Sequence, residues 1–499
     1  MSKKKKIRNI IGTIILWFII WQVIAVRIDN SIFLPSPIET VQSLQQLFLS
    51  KTFFLSVSVT LGNIVKGFLL GVLFGSIFAV IASVSEFLET FITFPMRIIK
   101  ATPVASFTIL ALFWLDSSNL SILVSFFMVL PILYTNVLTG MKETNLKLLE
   151  MAKVFQIRWY YKVGYIYIPE VLPYLFSACS VAIGLAWKSG IAAEIIGITK
   201  NSIGNHLYQA KLYLEMPELF AWSFVIIIIS IASEHIVLGL IHLLEQSIYG
   251  IEKNNFQEEK EQIKSAIEDE KNSGVFFVQE NKNFDDNQIK LREVYTLDKE
   301  QMVNTITLKD ITKSYGENLV LDKVSFIVSS NQPIALMGKS GIGKTTLFRI
   351  ILGLEPIDAG IIQKEKQLER SSVVFQENRL LEQLTVEKNL KIVCRTKKQR
   401  EKIEELLSCL GLKGCVKQKV NTLSGGMKRR VAIARAILFD APVFLLDEPF
   451  QGLDIKTKQQ VMQLVKQTMK GKIVLLITHE KEEALFLGCD IVDFNQIEH

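Results

Sequence analysis

Before residue 250 the chain carries six apolar segments, at about 10–26, 53–83, 86–115, 119–140, 171–198 and 219–245. Each is long enough to cross a hydrocarbon core about 30 Å thick, which takes about 20 helical residues. Runs such as Phe224 to Ile231 would be out of place in the buried helices of a soluble protein. The expectation is therefore an all-α membrane domain of six spans over residues 1–250. Lys66 interrupts the second segment, and Arg97, Lys100 and Pro103 interrupt the third, which blurs their limits.

Charge orients these segments. Lys3 to Lys6 and Arg8 precede the first, and no small-residue cleavage site follows it; Arg27, Ile28 and Asp29 come instead. An uncleaved helix with a cytoplasmic N-terminus is expected. The loop after the fourth segment carries Lys142, Lys147, Lys153, Arg158 and Lys162, whereas residues 116–119 carry no basic side chain. Both features place that loop and the rest of the chain in the cytoplasm, as a multi-pass protein of the cytoplasmic membrane. Lys188 and Glu194 fall at membrane depth and are candidates for the solute path, Lys188 for an anion. The plainer readings are that they snorkel or pair within the bundle.

Composition changes after Gly250. Residues 251–304 are dense in Glu and Lys and are read as a charged tether. The net charge of +7 is spread over both halves, without the basic stripe that nucleic-acid binding requires. The five cysteines form no C-x-x-C pair, which argues for reduced structural thiols.

From about residue 305 to 499, apolar strand-like runs alternate with helical patterns, at Thr305–Lys309, Val324–Val328, Ile334–Met337, Val373–Phe375, Val443–Leu446 and Ile473–Ile477. This predicts an α/β domain with a largely parallel sheet. Residues 338–346 read GKSGIGKTT, a phosphate loop between a buried strand and a helix. Gly338, Gly341 and Gly343 let backbone N–H groups face an anion, and Ser340 and Thr346 lie in the same cradle. Lys344 is placed to reach the β/γ-phosphates and Thr345 to offer a hydroxyl to Mg²⁺. The run 443–446 delivers Asp447 and Glu448, the first placed to hold Mg²⁺ through water and the second to polarise the attacking water.

The remaining motifs carry a family resemblance. Leu423-Ser424-Gly425-Gly426-Met427 resembles the LSGGQ signature of ABC ATPases, with Met427 in place of glutamine. Gln376 matches the Q-loop residue that contacts Mg²⁺ and the permease, Asp454 in Gly452-Leu453-Asp454 the D-loop, and His479 the switch histidine. Tyr315 matches the aromatic residue that stacks on adenine. In the membrane half, Glu150-Met151-Ala152, Gln156, Ile166 and Pro169 resemble the coupling loop of importer permeases, here spanning about residues 146–165. Gln156 stands where the family has a glycine. Residues 33–37, Gly184 to Trp187 and Ala192 to Glu194 look like permeases of the nitrate/sulfonate/taurine group.

The resemblance implies a fused permease and P-loop ATPase of the binding-protein-dependent importer class. ATP and Mg²⁺ are the implied cofactors. Because the signature of one ATPase completes the phosphate site of another, a second copy of the chain is implied, with Ser424, Gly425 and Gly426 facing the partner's nucleotide. A separate extracytoplasmic solute-binding protein is implied too, and a small solute, often anionic or heterocyclic. With twenty residues after His479, no regulatory domain is expected there. The rivals are an ABC exporter, which needs a longer membrane half, and a membrane-bound ATPase sensor or scaffold that moves no solute.

Overall fold

The structure is a computed structural model that describes residues 3–249 and 304–494. The tether expected at 251–304 therefore lies almost wholly outside the described residues. Two compact units divide the chain: Met1–Thr144 with Tyr167–Ile248, and Asn145–Ile166 with Tyr249–His499.

The helices of the first half are α1 (Lys3–Ile28), α2 (Pro37–Leu49), α3 (Lys51–Ala82), α4 (Glu86–Ala101), α5 (Val104–Ala111), α6 (Ser117–Lys142), α7 (Leu146–Val154), α8 (Trp159–Lys162), α9 (Ile168–Gly197), α10 (Ile203–Leu212) and α11 (Met216–Tyr249). Among the described residues, four helical stretches are long and apolar enough to cross a membrane: Lys51–Ala82, Ser117–Lys142, Trp159–Gly197 and Met216–Ile241. Four of the six expected segments meet that measure as single described helices. The segment at 86–115 is not one helix: Thr102 and Pro103 are extended, with ψ of 127° and 134°, and separate α4 from α5. Proline pushes the residue before it out of the helical region and offers no N–H to the preceding turn. In α1 the described side chains include the apolar run Ile15–Ile28.

Small residues set the packing of this unit. Gly67, Gly71 and Gly75 form a stripe along α3, and a Cβ on each would lie 2.5–2.8 Å from atoms of α6. That close approach is how helices associate where the solvent is itself apolar. The hydroxyls of Ser121 and Ser125 on α6 donate to the Gly190 and Ala186 carbonyls of α9, both at 3.2 Å. Of the two residues expected at membrane depth, Lys188 is exposed and Glu194 is buried. Glu194 Oε2 accepts from Thr60 Oγ1 at 2.9 Å and from the Gly204 N–H at 3.2 Å.

The second unit is α/β. Its strands are β1 (Thr305–Tyr315), β2 (Asn318–Ser329), β3 (Ile334–Met337), β4 (Ala359–Lys364), β5 (Ser371–Val374), β6 (Val443–Asp447), β7 (Ile473–Ile477) and β8 (Asp490–Asp493). Its helices continue as α12 (Lys344–Ile351), α13 (Val386–Lys391), α14 (Lys397–Glu401), α15 (Ile403–Cys409), α16 (Gly425–Phe439), α17 (Ile455–Met469) and α18 (Lys481–Leu487). A parallel sheet runs β5-β6-β7-β3-β8, and a separate antiparallel sheet runs β2-β1-β4. Strands β4 and β8 were not anticipated. Both sit at sheet edges with exposed positions, so neither carries a continuous apolar run. The five cysteines are free.

Candidate nucleotide site and loop cradle

The parallel sheet brings the phosphate-site residues together because β3, β6 and β7 are neighbours with a common direction. Their C-terminal ends open at one edge, the usual ligand position of such sheets. After β3 the chain turns through Gly341 and Gly343 at φ of 84° and 110°. Any other residue would be strained there, and at Gly343 a Cβ would also lie 2.7 Å from Leu321 Cδ2. Helix α12 starts at the next residue. Lys344 is buried, and its Nζ donates to the carbonyls of Gly338 and Lys339, each at 2.7 Å. Burial lowers its pKa, against the charges of Glu448 and Asp447. Ser340 and Thr345 are exposed and Thr346 half-buried.

Asp447 ends β6 in a buried position. Burial and the adjacent Glu448 charge push its carboxyl up to about 6, against the pull of Arg429 and Lys344. Glu448 adopts a left-handed φ of 46°, and its Oε1 lies 3.2 Å from His479 Nε2. Gln376, two residues beyond β5, is exposed, and its carbonyl accepts from Arg429 Nη1 at 3.0 Å. Tyr315 closes β1 with 46% of its surface open.

Lys344, Asp447, Glu448 and His479 thus form one constellation, and the signature makes contacts of its own. Ser424 caps α16 by accepting from the Met427 N–H at 3.3 Å. A Cβ on Gly426 would sit 3.2 Å from the Gly452 carbonyl, so signature and D-loop lie side by side. Asp454 caps α17, accepting from Thr457 N–H at 3.0 Å, a bond that lowers its pKa.

Arg429 was not singled out from sequence. It is buried on α16 and donates to the carbonyls of Phe375, Gln376, Asp447, Glu448 and Pro449. One guanidinium therefore ties the segments after β5 and β6 together. Its position beside the signature was the only available signal, and that does not distinguish it from Lys428 or Arg430.

The same unit contains the loop from the first half. Met151, Ala152, Phe155 and Ile157 are buried in its core. Glu150 is held by two arginines: Arg349 Nη1 and Nη2 donate to it at 3.0 and 2.7 Å, and Arg379 Nη1 at 2.8 Å. Burial acts to raise the Glu150 pKa, but the two guanidinium groups outweigh it and hold the carboxyl below its ordinary value. Lys147 pairs with Glu377 at 2.6 Å, and Lys153 Nζ donates to the Gly353 carbonyl at 2.8 Å. Gln156 occupies the left-handed region at φ of 49°, and its side-chain carbonyl accepts from Arg395. The turn expected of a glycine is thus made by glutamine, with a tethering hydrogen bond.

Comparison with known proteins agrees with this arrangement. Residues 321–451 match the family model "ABC transporter", and residues 71–249 match "Binding-protein-dependent transport system inner membrane component". The aliphatic sulfonates import ATP-binding protein SsuB 1 of Rhodococcus jostii is 39% identical over 188 residues, covering 37% of this chain and 76% of that protein. The chain belongs to the ABC transporter family. The spermidine/putrescine import ATP-binding protein PotA of Clostridium acetobutylicum is 36% identical over 207 residues, or 38% of this chain. This chain spans 58% of that relative's length. A solved ATP-binding cassette, MJ0796, bound to ADP and Pi, is 30% identical over 36% of this chain and 90% of its own, with a TM-score of 0.34. One chain therefore carries both a binding-protein-dependent transport inner-membrane region and an ABC transporter region.

Proposed function

We propose that two copies of this chain form an importer of a small solute, driven by ATP and fed by a separate extracytoplasmic solute-binding protein. Residues 1–250 are the permease, 251–304 a linker and 305–499 the ATPase, in the cytoplasm beneath the cytoplasmic membrane. The observation that carries this reading is Glu150, which belongs to the permease half of the sequence yet is gripped by Arg349 and Arg379 of the ATPase half. A loop held in that way can report nucleotide state to the spans.

In this reading Tyr315 stacks on adenine. Gly338, Ser340, Gly341, Gly343, Lys344 and Thr346 bind the phosphates. Glu448 takes a proton from the attacking water, His479 orients the γ-phosphate and Gln376 senses it. The donors fit Mg²⁺: Thr345 offers an exposed hydroxyl and Asp447 and Gln376 oxygen atoms, and the ion would offset charge on the phosphates. Ser424, Gly425, Gly426 and Asp454 complete the site of the second copy; within the chain Ser424 caps its own helix and Gly426 lies against Gly452. The relatives are named for aliphatic sulfonates and for spermidine and putrescine, but the matched part is the ATPase, so the solute class is left at a small molecule.

The test is Glu448→Gln in the full transporter reconstituted in membranes. Turnover should fall by about a hundredfold or more, the usual contribution of a general base, while ATP still binds. Phosphate release and ATP binding measured together decide it; undiminished turnover would remove the assignment.

A further inference from the structure

Arg349 stands on α12, directly behind the phosphate loop, and its charge is shared. Its Nη2 lies 2.7 Å from Glu150 and 3.5 Å from Glu355. Glu355 in turn lies 3.7 Å from Lys313 Nζ, and Lys313 is itself shared with Asp358 at 3.1 Å. Lys313 is buried, with 7% of its surface open, and its ammonium sits 5.4 Å from the centre of the Tyr315 ring. Lys313 and Tyr315 are two apart on β1, so they project from the same face of the strand. Alternating charges thus run without a gap from the loop to the aromatic ring at the edge of the site.

We propose that Glu355 and Lys313 are positioning residues through which the Glu150 loop sets the pose of Tyr315, and with it the affinity for the nucleotide base. This rests on Tyr315 being the base-stacking residue. The physical reason is competition for shared partners. When Glu150 leaves Arg349, the guanidinium keeps only Glu355 and draws it closer. Lys313 then loses a carboxylate on that side and moves toward Asp358, which changes how its charge lies against the ring. Reciprocity requires that base binding at Tyr315 change the grip on Glu150 by the same factor. The loop would therefore address the adenine end of the site as well as the γ-phosphate end near Gln376.

The experiment uses the full-length transporter in nanodiscs, with Glu448→Gln throughout so that no ligand is consumed. Dissociation constants are measured for Mg-ATP and for Mg-tripolyphosphate, which has the phosphates but no base. Glu150→Gln and Glu355→Gln are each expected to shift the ATP constant about fivefold, the scale of a typical coupling between sites. The double variant should do no more than either alone, and tripolyphosphate binding should not move. Lys313→Arg, which keeps the charge, should restore most of the affinity that Lys313→Gln loses. Additive shifts, an unmoved ATP constant in Glu150→Gln, or equal shifts for tripolyphosphate would overturn the proposal. Tyr315→Ala separates the two layers: if it weakens ATP while the glutamate variants do not, only the relay fails. If Tyr315→Ala leaves ATP binding unchanged, the base-stacking assignment fails and takes the relay with it.

Discussion

The two units bury their polar groups in opposite ways. Among the described residues of the membrane unit, the one buried acidic or basic side chain is Glu194, and it is met by a threonine hydroxyl and a backbone N–H. The ATPase unit buries Lys313, Lys344, Arg429, Arg435, Asp447 and Glu483. There the cations are held by carbonyls and carboxylates gathered from distant loops. The difference follows from solvent and task. Helices in lipid satisfy their own backbones, so close contact of small residues holds them together and a few hydroxyls suffice. A nucleotide site needs loops with unpaired carbonyls at the ends of strands, and buried guanidinium groups satisfy several at once.

Arg429→Met is the strongest way to break this contrast. The carbonyls of Phe375, Gln376, Asp447, Glu448 and Pro449 would lose their donor, at about 1–3 kcal/mol for each left unsatisfied. We expect the ATPase unit to lose at least about 3 kcal/mol in denaturant or thermal unfolding. The membrane counterpart, Thr60→Val, removes the hydroxyl between Glu194 and the Ile203 N–H. Hydrogen bonds in such bundles average only about 0.6 kcal/mol. Equal losses from the two substitutions would mean that the units do not differ as described.

A pH titration sharpens the comparison at the loop. The Glu150 carboxyl is held below its ordinary 4.5 by Arg349 and Arg379, against burial. A depressed acid stabilises above its unfolded pKa and loses that contribution as pH falls through the folded value. Hydrogen-exchange protection of α7, corrected for intrinsic rates, should hold from neutral pH to about 5 and fade below about 4.5. In Arg349→Gln the loss should be smaller and complete at a higher pH, because the folded carboxyl is less depressed. The smallest effect is expected from Gln156→Gly. Relief of a left-handed non-glycine residue, about 1–2 kcal/mol, offsets the lost bond from Arg395. Stability should change by less than about 1 kcal/mol, and solute-stimulated ATPase activity should not fall.

How far the sequence could be read depended on whether the informative partner was local. The strand–loop–helix around Lys344 and the run ending at Asp447 are local patterns, and β3, β6 and β7 match the apolar runs that announce them. The break at Thr102-Pro103 was also local, but the apolar length of 86–115 outweighed one proline. The stripe of Gly67, Gly71 and Gly75 was legible by its four-residue spacing and was passed over. Glu150 is different in kind: its partners Arg349 and Arg379 lie 199 and 229 residues away, so no local pattern announces the cradle. Edge strand β8 is four residues with acids at both ends, which hides it among loops.

In the proposed dimer each ATP site is built from two copies, the phosphate loop of one and the signature of the other. Co-assembly of Lys344→Ala chains with Ser424→Arg chains tests it directly, with vanadate-trapped nucleotide as the readout. Neither variant alone should trap nucleotide. A mixed pair contains one site with an intact Lys344 facing an intact Ser424, so the account predicts trapping in mixed assemblies. Absence of trapping in correctly paired mixed assemblies would contradict it.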